Sequence, residues 1–272
     1  ANAGERFTVP IVIKDRFLDS TCANLDSFAE LLVAAHGNAK VHLQPDRDLS
    51  PTDFITELKS GFTTANALSL PNLSRADEPR LTRLPRFRIL DTLINRRKAR
   101  AYYSAGKQVW STPVDVASCR DFNVLGGSGA FSGAHVDALV GTWLRTLFGR
   151  KLWFVVSCDT MTSADWEKFA EIGDSWDPAG RGRAILLEAN DVLWMPPGVK
   201  VIHAVLTLDP SLMQGGMLRD DLNLDAILEG LHWIGLHQHA TNEAMAWQLG
   251  EVLDELRDVF QSEALQRVLD FG

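Results

Sequence analysis

The chain has 272 residues, 46% of them apolar, and a formal net charge of −8. That length buries a substantial core and is ordinary for one all-β domain, while the acidic balance argues against non-specific nucleic-acid binding, which needs a basic surface. No apolar run approaches the roughly 18 residues of a membrane span, no signal peptide is visible, and Cys22, Cys119 and Cys158 lack paired spacing, so a reducing, intracellular setting, nuclear or cytoplasmic, is expected.

Asn24 to Ala35 places Leu25, Phe28, Leu31 and Leu32 on one stripe and predicts a helix. Val41-His42-Leu43 reads as a short strand. Ser50 as N-cap, Pro51 at the first position and acidic Asp53 in the first turn start a helix that runs to Lys59. Residues 71 to 87, rich in Pro, Arg and Ser, read as a loop; Phe87 to Ile94 reads as a buried strand and Asn95 to Ala101 as a basic rim loop. From about Asp121 the pattern turns to short strands, as a jelly roll requires. Ser163 to Ile172 reads as a helix capped by Ser163, and Asp174 to Arg183 as a Gly/Pro/Arg loop. Asp191 to Gly198 reads as strand then turn, and Val199 to Thr207 as a β-branched strand.

After Asp220 the composition becomes helical. Leu222 to Gly235, Thr241 to Phe260 (capped by Thr241) and Ser262 to Phe271 are the expected helices, with Val252, Leu253, Leu256, Val259 and Phe260 on one stripe. They pack on the barrel or build a homodimer interface. The expected organisation is therefore residues 1–120 leading into a barrel, 121–218 as its core, and 219–272 as a helical segment. His232, His237 and His239 fall on different helical faces without a carboxylate at useful spacing, and read as structural or solvent-facing.

The chemistry concentrates in His135-Val136-Asp137 and a lone His203. Two imidazoles and one carboxylate can cap one face of an octahedral metal and leave open positions, the donor set of non-haem Fe(II) oxygenases. Residues 135 and 137 share a strand face, and His203 is placed to add the third ligand from a neighbouring strand. A His-x-Asp triplet alone is as readily an ordinary hydrogen-bonded pair, so the surrounding motifs decide. Ser132-Gly133-Ala134-His135-Val136-Asp137 is followed by Gly149-Arg150-Lys151-Leu152-Trp153-Phe154-Val155-Val156. Then come Pro196-Pro197-Gly198, His203-Ala204-Val205-Leu206-Thr207, Ser211 and Gly215-Gly216.

In kind and order these motifs resemble the JmjC family of 2-oxoglutarate oxygenases over about residues 121 to 218. The likeness is strongest to the JmjC lysine demethylases that carry PHD fingers or F-boxes, and to fungal JmjC proteins. The resemblance implies a mainly β fold with flanking α-helices, a double-stranded β-helix of the cupin-like jelly-roll kind. It implies that His135, Asp137 and His203 hold Fe(II), that Lys151 pairs with the distal carboxylate of 2-oxoglutarate, and that Ser132 and Thr142 are further cosubstrate contacts. Dioxygen and 2-oxoglutarate would be consumed to hydroxylate a C–H bond of a peptide or small molecule; on an N-methyl group the product breaks down to formaldehyde. Neither a nucleic acid nor a membrane is an expected partner.

The chain departs from the demethylase pattern in three places. Four residues, Val199 to Ile202, separate Gly198 from His203 where the demethylases commonly have two; Met217 stands where they usually show Asn; and Asp209-Pro210 replaces their Pro-x. None touches the three ligands, and all bear on substrate. Two other readings stay open: a JmjC-like protein that binds a partner without turnover, and a Zn(II) hydrolase on the same ligands, which lacks an obvious general base. Arg145 and Arg150 are the other cations near Lys151 in sequence.

Overall fold

Two antiparallel sheets face each other across a shared core in the computed structural model, which describes residues 7–14, 24–36, 40–44, 47–61, 63–74, 122–137, 141–156, 158–217, 223–242 and 249–270. The larger sheet contains β1 (Ile11–Lys14), β2 (Val41–Gln44), β3 (Arg47–Leu49), β4 (Asn66–Pro71), β5 (Phe122–Gly126), β7 (Thr142–Phe148), β10 (Asp191–Trp194) and β12 (Ser211–Met217), ordered β1-β10-β7-β12-β5-β4-β2-β3. The smaller contains β6 (Phe131–His135), β8 (Lys151–Val156), β9 (Gly182–Leu187) and β11 (Ile202–Thr207), ordered β6-β11-β8-β9.

Period-two alternation decides which side chains enter the space between the sheets. In β8, Lys151, Trp153 and Val155 are buried, while Phe154 is exposed. In β11, His203, Val205 and Thr207 are buried on the same side. Val155, Trp153 and Val205 meet Phe122, Val124, Leu144, Leu193 and Met213 of the larger sheet in one apolar cluster. At about 25 cal/mol per Å² of apolar surface, each such side chain contributes on the order of 2 kcal/mol by leaving water.

Helices cover both outer faces. α1 (Leu25–His36) and α2 (Pro51–Ser60) set Phe28, Leu32, Phe54 and Leu58 against Leu43, Ala67, Leu125 and Leu212 of the larger sheet. Ser50 caps α2 as expected: its hydroxyl accepts from the Asp53 backbone N–H, with Pro51 at the first position. On the smaller sheet, α3 (Ser163–Ile172), α4 (Leu224–Leu236) and α5 (Leu249–Asp270) bring Phe169, Ile227, Leu231, Ile234, Val252 and Leu256 onto Ala134, Val136, Val156 and Ile202. The expected α5 stripe is graded: Val252 and Leu256 are buried and Phe260 is exposed. No helix among the described residues is long and apolar enough to cross a membrane.

Several local expectations need correction. The cap of α3 is Thr162 and not Ser163. Thr162 is extended, its hydroxyl accepts from the Asp165 N–H, and the Asp165 carboxylate accepts from the Thr162 N–H, a reciprocal capping box. Arg181 pairs with that same carboxylate and, with the cap, holds it well below the usual carboxylate range. Gly182 and Arg183, expected in a loop, open β9 because β8 offers them a partner. Val199 to Val201 follow the turn at Pro197-Gly198 as irregular chain, and the strand begins only at Ile202. The helix expected from Thr241 begins, among the described residues, at Leu249 and runs unbroken to Asp270, so Ser262 starts no separate helix. β1 and β4 were not foreseen; each is defined by its pairing with β10 or β5. The strand expected at Phe87 to Ile94 and the rim loop at Asn95 to Ala101 lie outside the described residues.

Candidate metal centre

The pairing of β6 with β11 brings the first two ligands together. His203 stands opposite His135, yet Val205 stands opposite Ser132, so between them one residue of β11, Ala204, faces two of β6, Gly133 and Ala134. The extra residue is a β-bulge. Residues 132 and 135 differ by an odd number and would face opposite ways in a regular strand; the bulge lets both be buried. Gly133 sits in it, and a Cβ there would lie 2.6 Å from Asp174 Cβ and Asp174 O, so no larger residue fits without moving that segment. Asp137 lies just past the end of β6, where the Val136 N–H donates to Ala240 O (2.8 Å). The Pro196-Pro197-Gly198 turn leads into β11. Gly198 has φ +74°, and a Cβ would meet Ala226 of α4 at 2.6 Å.

The imidazole rings of His135 and His203 are 4.2 Å apart, and His203 Nε2 is 3.6 Å from Asp137 Oδ1. One ligand atom from each of the three residues lies within 4.8 Å of the others. His135 Nδ1 is 2.7 Å from Gly133 O and His203 Nδ1 is 3.0 Å from Val201 O. Each backbone carbonyl accepts from an Nδ1–H, which fixes the tautomer and leaves Nε2 as a lone-pair donor. Burial pushes the His135 imidazole down to about 3 and that of His203 down to about 4, so both are neutral, the form that ligates metals. Burial raises the Asp137 carboxyl, with His135 and the Thr142 hydroxyl opposing that rise. Thr142 donates to Asp137 Oδ2 and lies 3.4 Å from Met217 Sδ. The three side chains thus form a group that can hold a divalent metal.

Lys151 lies farther along the same interior. It is 3% exposed, it pairs across from Thr207, and Val155 on its strand pairs across from His203. Its Nζ is 3.4 Å from Asn66 Oδ1, and no carboxylate among the described residues forms an ion pair with it. Burial lowers its pKa to about 8. Asn66 links the remaining polar groups: Thr207 Oγ1 donates to Asn66 Oδ1 (3.5 Å), and Asn66 Nδ2 donates to Ser132 Oγ (3.3 Å). Ser132 in turn donates to Gln44 Oε1 (3.4 Å). Gly126 leaves room for this cluster, since a Cβ there would press on Asn66 Oδ1 and come within 3.2 Å of Lys151 Nζ.

Of the residues singled out from sequence, His135, Asp137 and His203 come together. Ser132 joins Lys151 through Asn66, and Thr142 sits with the triad at Asp137. Arg150 is instead tied to Asp209 at the surface (2.5 Å). Asn66, Thr207 and the stacking of Trp153 on His203 (5.1 Å, 24°) were missed. Thr207 carried a usable signal, its parity with His203 and Val205. Asn66 carried only its polarity within an apolar stretch. His232 and His239 are exposed, and His237 packs on Trp233 at 4.7 Å, as expected of structural histidines.

No protein-family model matches the chain. It is similar to KK-1 biosynthesis cluster protein D of Curvularia clavata, 35% identical over 272 residues that cover 94% of this chain and 27% of that protein. The chain thus spans about a quarter of the length of this curated relative. Among solved structures, a Bacillus subtilis oxalate decarboxylase studied for its Mn(II) centres matches with 17% identity and a TM-score of 0.26, over 37% of this chain and 21% of that one.

Proposed function

We propose that the chain carries an Fe(II)- and 2-oxoglutarate-dependent oxygenase centre of JmjC type, built on residues 121–218 as a double-stranded β-helix, which hydroxylates a C–H bond. One observation carries this reading: the His135/Asp137/His203 group and a buried lysine ammonium with no carboxylate partner among the described residues lie on the inner side of the same three strands, β6, β11 and β8. Val155, opposite His203, is four residues from Lys151, about 13 Å at the rise of a strand. A lysine side chain and a short dicarboxylic acid fill that gap together, one acid end at the metal and the other at the ammonium.

In this reading substrate C–H, dioxygen and 2-oxoglutarate become C–OH, succinate and carbon dioxide. Bound Fe(II) would supply the activation of dioxygen and the oxidation of the keto acid. The protein supplies position. Gly133 O and Val201 O orient the two imidazoles, and Thr142 steers the Asp137 carboxylate. Lys151 binds the distal carboxylate with a charge-assisted bond, and Asn66, Thr207 and Ser132 shape its surroundings. The apolar wall of Trp153, Val155, Val205 and Met213 excludes bulk water.

For the substrate, similarity to a biosynthesis cluster protein of Curvularia clavata favours a biosynthetic intermediate over a histone-like methyl-lysine peptide. An anaerobic titration of metal-free protein with Fe(II) and then 2-oxoglutarate tests the centre. A saturable visible charge-transfer band, lost in Asp137→Ala, is the expected result. A folded protein that binds neither metal nor keto acid would return the chain to the binding-only class. Formaldehyde release from N-methylated substrates, against hydroxylated product without it, separates demethylation from plain hydroxylation.

A further inference from the structure

Trp153 is a polar group left over after the triad and the Lys151 cluster are accounted for. It is 4% exposed, stands between Lys151 and Val155 on the inward face of β8, and its Nε1 has no hydrogen-bond partner among the described residues. A buried indole N–H usually finds an acceptor, because it loses water without replacement otherwise. Trp194 shares this condition but lies in a separate outer cluster with Trp143 and Val192. Trp153 borders the ligand set: its ring stacks on His203 at 5.1 Å and 24°.

That stacking has a directional consequence. His203 Nε2 would be the atom that holds the metal, and one of the two faces of its ring is covered by the indole. A ligand bound at the centre on that side would meet the indole, whose only donor is its Nε1–H. Lys151 follows on the same face, so a ligand running from metal to ammonium passes Trp153.

We propose that Trp153 is a ligand-contacting residue of this centre, its indole N–H donating to an oxygen of an anionic ligand bound to the metal on the indole side of His203. This rests on the metal and keto-acid reading above, and Trp153→Phe tests it by keeping the stacked ring while removing the donor. Mn(II) affinity, read by the loss of the free-ion EPR signal, is expected within about twofold of the parent. Affinity for 2-oxoglutarate, read from the Fe(II) charge-transfer band, is expected to fall about tenfold, the worth of one hydrogen bond to a charged acceptor.

A second measurement uses the indole resonance of Zn(II)-loaded, 15N-labelled protein, assigned to Trp153 by its absence from the Phe variant. It is expected to move downfield when 2-oxoglutarate or oxalate is added. Unchanged 2-oxoglutarate affinity in Trp153→Phe, or an indole resonance that stays put while the anion binds, overturns the assignment and leaves the oxygenase reading intact. A parent protein that binds Mn(II) and moves the indole with oxalate, yet gives no band with 2-oxoglutarate, supports Trp153 and removes the keto acid. Loss of Mn(II) binding in Trp153→Phe would make the residue a packing support for His203, and also overturns it.

Discussion

The two polar ends of the β8–β11 pair are satisfied in opposite ways. At the His203 end each imidazole donates its Nδ1–H to a carbonyl of its own chain segment, and the carboxylate accepts from Thr142. What is left over is a convergent set of lone pairs. At the Lys151 end the surplus is a positive charge, with one long contact to an amide oxygen and no acid beside it among the described residues. Buried charges are costly unless paired. In the proposed reading one end would receive a cation and the other an anion.

The largest expected effect removes one end outright. His203→Ala should weaken Mn(II) binding by more than about 100-fold, beyond the 10–100-fold typical of losing a supporting partner, while circular dichroism shows the fold retained. Undiminished metal binding would take His203 out of the ligand set.

Lys151→Met acts on the other end and should split two readouts. Anion affinity should fall about 10–100-fold, measured by titration with 2-oxoglutarate, while Mn(II) binding stays near that of the parent. The melting temperature at neutral pH should rise, because a desolvated charge is gone. The pH dependence follows from the same group. Its folded pKa, about 8, lies below the ordinary lysine value of 10.5, so between these values the unfolded chain binds more protons and stability rises with pH. Anion affinity runs the other way and should decline above about pH 8 as the ammonium is lost. An affinity flat from pH 7 to 10 would separate Lys151 from the anion.

Thr142→Val sharpens the contrast on a smaller scale. It removes the donor to Asp137 and should cost about tenfold in metal affinity with little change in Lys151-dependent anion binding. If it weakens the anion alone, Thr142 belongs to the cosubstrate and not to the ligand set. Thr162→Ala, at the cap of α3, should lower stability by about 1 kcal/mol in a denaturant melt and leave both ends untouched.

How far the site was legible follows from what sequence encodes. Ligand identity and strand parity are local, so His135, Asp137 and His203 could be singled out directly, whereas Lys151 was singled out through the family resemblance. Trp153 and Val155 share the parity of Lys151, and all three are buried. Register is not local. The bulge that brings Ser132 and His135 onto one face exists because β11 pairs with β6 in that way, and residue types alone do not announce it. Asn66 enters from a strand far upstream, through a pairing with β5 that no short motif reports. The capping box at Thr162 was misplaced by one residue because two adjacent hydroxyls, Thr162 and Ser163, both precede an acidic residue; backbone geometry chose between them.

Among the described residues β6 lies at one edge of the smaller sheet, and β11 is the one strand it pairs with. It carries His135, and its partner carries His203, on the order of 70 residues later, so a metal shared by the two would close a long stretch of chain that entropy otherwise opposes. Fastening of that edge would then draw on a small solute as well as on the polypeptide. The folded population would be linked to metal activity in the surrounding solution, rising by mass action as the ion is supplied and falling as a chelator removes it.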